Sequence, residues 1–260
     1  MAMLEPHAPH EAIHSVRSFL IHIAAIAVGL LLALVLEQTV VAIHRAHQRS
    51  EIDSQMREVL SSNVKLAARN FDTLRSLHSY LLDLRTDISA HLSSSGERRQ
   101  SKAADSFSHS NITLPSLAPY DAAQKDGTVA IMGADRIRLY NRLAFVRDLT
   151  LSVRAEWERA IGDFQGFQKR YVVSAGSLEL GGVAKGPNLD TLSPAELNDY
   201  LARVGALIHE TELLYARLDL DDTEFRALLA GARNENELFE MMNRARPQAF
   251  GLGIGEPPEK

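Results

Sequence analysis

The sequence predicts an all-α protein in which an N-terminal transmembrane helix continues into a long amphipathic helix and then an antiparallel helical bundle or hairpin body. Three observations predict this. Residues 19–36 read FLIHIAAIAVGLLLALVL, an apolar run broken only by His22. From residue 52 onward the apolar positions recur every three or four residues, which is the spacing of a helix face. No segment sustains the period-two alternation of a half-buried strand.

The chain divides into an N-terminal tail, 1–18; a transmembrane anchor, 19–43; a helical body, 44–247, containing a linker at 93–119; and a flexible tail, 248–260. A spanning helix needs about 20 mostly apolar residues, and Val40, Val41, Ala42 and Ile43 extend the run to that length. A cleaved secretory signal fits poorly. Glu5 and Glu11 stand against Arg17 where a basic region belongs, the run exceeds the roughly 7 to 15 residues of a signal core, and Glu37 and Gln38 follow it. Val40-Val41-Ala42 is at best a weak cleavage site, so the expectation is a retained, single-pass anchor. Arg17 before the span against Arg45, Arg49 and Arg57 after it favours a cytoplasmic body. A short tail before a long body is compatible with the opposite side too, so the side of the body stays open.

Within the anchor, Ala25, Gly29 and Ala33 recur every four residues, a small-residue stripe of the kind that lets two membrane helices approach closely, and Glu37 continues it. These four residues are the candidate helix–helix contact. Glu37 reads most simply as an interface carboxylate, or as the pair of a partner's basic residue, and His22 as a residue tolerated near the start of the span.

The body begins with a periodic run of Ile52, Met56, Leu60, Val64, Ala67, Phe71, Leu74, Leu77, Leu81, Leu84, Ile88 and Leu92. Neither Pro nor Gly falls between Gly29 and Gly96, so one helix can run unbroken from the anchor, reaching about 110 Å from Phe19 to Leu92. Ser93-Ser94-Ser95-Gly96 stops it, and the polar stretch to Pro119 reads as an exposed, mobile linker. A short helix from Tyr120 to Lys125 ends at Gly127, the residue type suited to the left-handed position after a helix.

A second long helix carries Ile137, Tyr140, Leu143, Val146, Leu149, Val153, Trp157, Ile161, Phe164, Phe167 and Tyr171, with Asp135 as its expected N-cap. A Gly- and Lys-bearing loop from Ser174 to Asp190 follows it. Ser193-Pro194-Ala195-Glu196 is then a capping box with Pro at the first helical position. Leu197, Leu201, Val204, Ile208 and Leu214 line the third helix. Asp221, Asp222 or Thr223 is expected to restart or bend it before Phe225, Leu228, Leu229, Leu238, Phe239 and Met242, and Pro247 closes the pattern.

Composition excludes several functions. The net charge of −5 and pI near 6.1, with scattered basic residues, argue against nucleic acid as a partner. Without cysteine there is no disulfide framework, thiolate metal site or cysteine nucleophile. His7, His10 and His14 with Glu11, and His44 with His47, have spacings that can hold zinc, but Pro6 and Pro9 oppose a helix through the first set. Asp219-Leu220-Asp221-Asp222-Thr223 matches the D-x-D-x-T pattern of haloacid-dehalogenase-like phosphatases. That chemistry needs a strand before the first Asp, and here a helical pattern precedes it. Gly181-Gly182-Val183-Ala184-Lys185-Gly186 lacks the Ser or Thr that a phosphate loop places after its Lys. The expectation is therefore no enzyme, no cofactor and no metal.

FLIHIAAIAVGLLLALVLEQ with the His/Arg-bearing helix after it, and PYDAAQKDGTVAIMGADRIRLYNRL, resemble segments of a bacterial family of uncharacterised single-span membrane proteins. The residues that carry the likeness are Gly29, Leu36-Glu37-Gln38, the 121–127 stretch and Tyr140; the last third does not take part. The resemblance implies a bacterial inner membrane location and no catalysis. The functional expectation is a scaffold or accessory subunit, in contact with membrane lipid and acting as a homo-oligomer or with a membrane protein partner. The alternative is a sensor-like module whose body binds a ligand near Trp157, Phe164 and Phe167 and shifts the anchor.

Overall fold

The computed structural model describes residues 16–93, 112–171 and 187–245. Its described residues form five α-helices and no strand, so the fold is all-α: α1 (Val16–Ser93), α2 (Ala118–Lys125), α3 (Ala134–Tyr171), α4 (Pro194–Leu229) and α5 (Glu235–Ala245). Single 3-10 turns at Thr128–Ile131 and Leu189–Thr191 precede α3 and α4. The tail with His7, Glu11, His10 and His14, the Gly181–Lys185 stretch and the 248–260 tail lie outside the described residues.

The chain comprises two units, Met1–Ile52 and Asp53–Lys260. In the first, every residue of 19–47 is exposed. Leu30, Leu32 and Leu36 are each about two-thirds accessible, although apolar side chains of this size normally seek burial.

In the second unit, the 53–93 part of α1 presents Met56, Leu60, Ala67, Phe71, Leu74, Leu77, Leu81, Leu84 and Ile88 as one buried face, the face its spacing predicts. Trp157, Phe164 and Phe167 of α3 and Leu197, Tyr200, Val204, Leu207 and Leu214 of α4 close over it. Side chains such as Leu74 and Leu81, wholly buried, each stabilise the body by about 2 kcal/mol.

Cross-contacts fix the helix directions. Along α3 and α4 the pairs are Gln168 with Tyr200, Trp157 with Thr211, Thr150 with Asp221 and Arg142 with Glu224, so one number falls as the other rises. This is the expected antiparallel hairpin. Helix α1 also opposes α4, through His78 with Glu212 and Arg75 with Tyr215, and His91 meets Asp190 in the turn just before α4. It therefore runs parallel to α3, with Asp53 bonded to Tyr140, and the bundle is not antiparallel throughout.

The expected linker is in part a buried element. Ile112, Pro115 and Leu117 are buried, and two asparagines on the same face of α1 hold the extended segment between them. Asn63 accepts from Ser116 N at 3.1 Å and donates to Ser116 O at 2.9 Å, imitating a backbone ladder, and Asn70 donates to Thr113 O at 2.8 Å. Asn at these positions satisfies backbone groups that burial would otherwise strand.

Helix ends follow local chemistry. Gly127 takes φ +78° after α2, as expected. The capping box forms at α4: Ser193 Oγ accepts from Glu196 N, and Glu196 accepts from Ser193 N at 2.7 Å. The Ser193 N–H first, then the Ser193 and Tyr171 hydroxyls, hold the Glu196 carboxyl below its ordinary range. Asp135 is not the N-cap of α3, because the helix begins one residue earlier at Ala134 and Asp135 lies in its first turn, paired with Arg138.

The expected restart at 221–223 does not occur. Helix α4 continues to Leu229 and ends in a Schellman motif, with Gly231 at φ +107°, Ala232 N on Ala227 O and Gly231 N on Leu228 O. Asn234 and Glu237 then cap α5 reciprocally, since Glu237 N donates to Asn234 Oδ1 and Arg233 N to Glu237 Oε2.

Candidate functional site

The exposed apolar part of α1 is the first candidate. An 18-residue window of it reaches a mean hydropathy of 2.8, with none of the window buried, so the helix is long and apolar enough to cross a membrane. Polar side chains here turn back onto their own helix: His22 Nδ1 lies 2.9 Å from Ser18 O, and Thr39 Oγ1 donates to Val35 O at 2.7 Å. Such bonds satisfy a polar group without water. Helical register places Ala25, Gly29, Ala33 and Glu37 in one exposed stripe. A Cβ built on Gly29 meets nothing within 4 Å, so no contact within the chain requires glycine there.

The second candidate is a buried polar layer between α3 and α4. Thr150 and Asp221 are completely or almost completely buried, and Thr150 Oγ1 donates to Asp221 Oδ2 at 2.7 Å. Arg217 reaches the same spot and donates to Thr150 Oγ1 at 3.1 Å and Val146 O at 3.0 Å; with Asp221 Oδ1, 3.4 Å away, it forms an ion pair but no hydrogen bond. One donor is a sparse allowance for a buried carboxylate. Burial therefore pushes Asp221 up to about 6, with Thr150 and Arg217 opposing and Glu224 assisting.

One turn further on, Glu224 is fully buried and accepts from Arg142 at 2.7 Å, while the Arg142 guanidinium lies 4.4 Å from the centre of the Phe239 ring. Asp222 bonds Arg226 at 2.7 Å at the rim. Asp221 Oδ1, Asp222 Oδ1 and Glu224 Oε2 have no hydrogen-bond partner among the described residues. The acids proposed as a helix start are thus mid-helix groups facing α3. A signal for them existed in the register: Asp221 continues the buried series Leu214 and Leu218, and Thr150 follows Leu143 and Val146. Leu149, expected on that face, is 41% exposed in place of Thr150, and Leu229 and Phe239 are partly exposed as well.

The aromatic set of Trp157, Phe164 and Phe167 closes on itself. Phe167 stacks on Tyr200 with centroids 4.7 Å apart, Phe164 stacks on Tyr200 at 5.9 Å, and Trp157 Nε1 donates to Thr211 Oγ1 at 3.2 Å. Among the described residues no group of three or more His, Asp or Glu side chains converges as metal ligands would; His44 and His47 are exposed on α1.

Comparison with protein-family models, with curated proteins and with solved structures gives no match.

Proposed function

We propose that this chain is a single-pass membrane protein whose all-α body acts through protein contacts, as a scaffold or accessory subunit. One observation carries the reading: the most apolar window of α1 is wholly unburied, whereas a core helix of equal hydropathy would be covered by its own fold. Lipid is the cover that matches its length and composition. The bacterial inner membrane is the location that the family resemblance supports. The polar layer between α3 and α4 serves the body's own packing, since its groups bond one another and lie buried between helices.

Purification of the full-length chain in gentle detergent, with the mass of the complex and the identity of everything retained, tests this function. A stoichiometric membrane protein partner or a defined homo-oligomer is expected. Recovery of the bare monomer under all conditions would contradict it.

A further inference from the structure

Along α1 the apolar segment carries cations at both ends. Arg17 precedes Phe19, and Arg45 and Arg49 follow Ile43, all three exposed. No acid stands between Glu37 and Glu51, so the second end has two arginines, His44 and His47 with no interleaved carboxylate. Arg49 Nε donates to Arg45 O at 3.3 Å, and neither guanidinium meets a carboxylate among the described residues. Arg45 and Arg49, four residues apart, share one face of the helix.

The spacing of the two ends is itself informative. Arg17 and Arg45 are 28 residues apart, which at the rise of a helix is about 42 Å. A bilayer measured through its headgroup regions is roughly 40–45 Å. A helix that placed Arg17 among the phosphates of one leaflet would place Arg45 among those of the other, and Glu37 about 12 Å inward of Arg45, where it needs a partner rather than the interface.

Resting on the membrane reading above, we propose that Arg17 at one face and Arg45 with Arg49 at the other form two phosphate-binding collars for anionic phospholipid, which fix the depth of α1 in the bilayer. Each arginine near an anionic surface is expected to favour such lipid roughly fivefold.

The test is native mass spectrometry of the full-length chain recovered from vesicles of equimolar phosphatidylglycerol and phosphatidylcholine. The wild type should retain phosphatidylglycerol in preference. The R17Q/R45Q/R49Q variant should enter the vesicles yet lose that preference, and R17K/R45K/R49K should keep most of it. Excess inorganic phosphate should leave the lipid bound; its displacement would identify a free-anion site and overturn the lipid proposal. A glutamine variant that inserts and keeps the preference unchanged overturns this proposal alone. A wild type that never enters the vesicles overturns the membrane reading and the collars with it.

Discussion

Asp221 and Asn63 show how single polar residues set the body's stability. The Asp221 carboxyl binds its proton more tightly in the folded chain than in the unfolded one, because burial raises it to about 6. Its contribution is therefore most favourable at acidic pH and diminishes as pH rises from about 4 through 6. Above that range the ionised form destabilises the body by an amount on the order of 3 kcal/mol relative to the protonated one. D221N should unfold at higher denaturant than wild type at pH 7.5, and the gap should close toward pH 4. Parallel stability curves for the two proteins across that range would show that Asp221 carries no raised affinity for its proton.

The Asn63 amide holds both backbone groups of Ser116. Removing it strands a part-buried donor and acceptor, so N63A should lower stability by roughly 1–3 kcal/mol. The chemical unfolding midpoint checks this; an unchanged midpoint would mean that the 112–117 segment is held by its apolar side chains alone.

At the scale of elements, sequence and structure agree at three local signals, while the N-cap expected at Asp135 lies one residue inside the helix. The capping box at Ser193, the left-handed Gly127 and the three-and-four spacing of α1 all act within a turn or two of chain, so they are readable without tertiary knowledge. Two of the misreadings share one cause. Asp221 looks like a helix-starting acid until its partner Thr150, 71 residues away, is known. Likewise 112–117 reads as a linker because its polar anchors, Asn63 and Asn70, sit on another element. The true break, Leu229-Ala230-Gly231 followed by Asn234 and Glu237, had its own signature of a glycine stop and an N-cap.

The anchor stripe gives an element-scale prediction that intrachain packing cannot confuse. Since a Cβ at Gly29 meets nothing within 4 Å, the substitution G29L starts from open space in the chain's own structure. Cross-linking of anchor helices in membranes should fall severalfold in G29L if Ala25, Gly29 and Ala33 form a close interface. Equal cross-linking in the two proteins would remove the stripe from the interface.

In the whole molecule, an all-α body with a closed aromatic and aliphatic core accompanies a helix segment whose apolar side chains have no protein cover among the described residues. The first was legible in periodicity because a bundle core repeats along each helix. The polar layer was not, because it depends on which helix faces which. The proposed membrane reading rests on the uncovered segment, and it requires lipid to cover that segment in the intact chain.

The most direct measurement is alkaline carbonate extraction of membranes containing the full-length protein, read together with the intact mass of the recovered chain. The account predicts an unprocessed chain that stays with the lipid pellet and is released only by detergent. Release by carbonate, or recovery of a soluble chain shortened past the apolar segment, would contradict it.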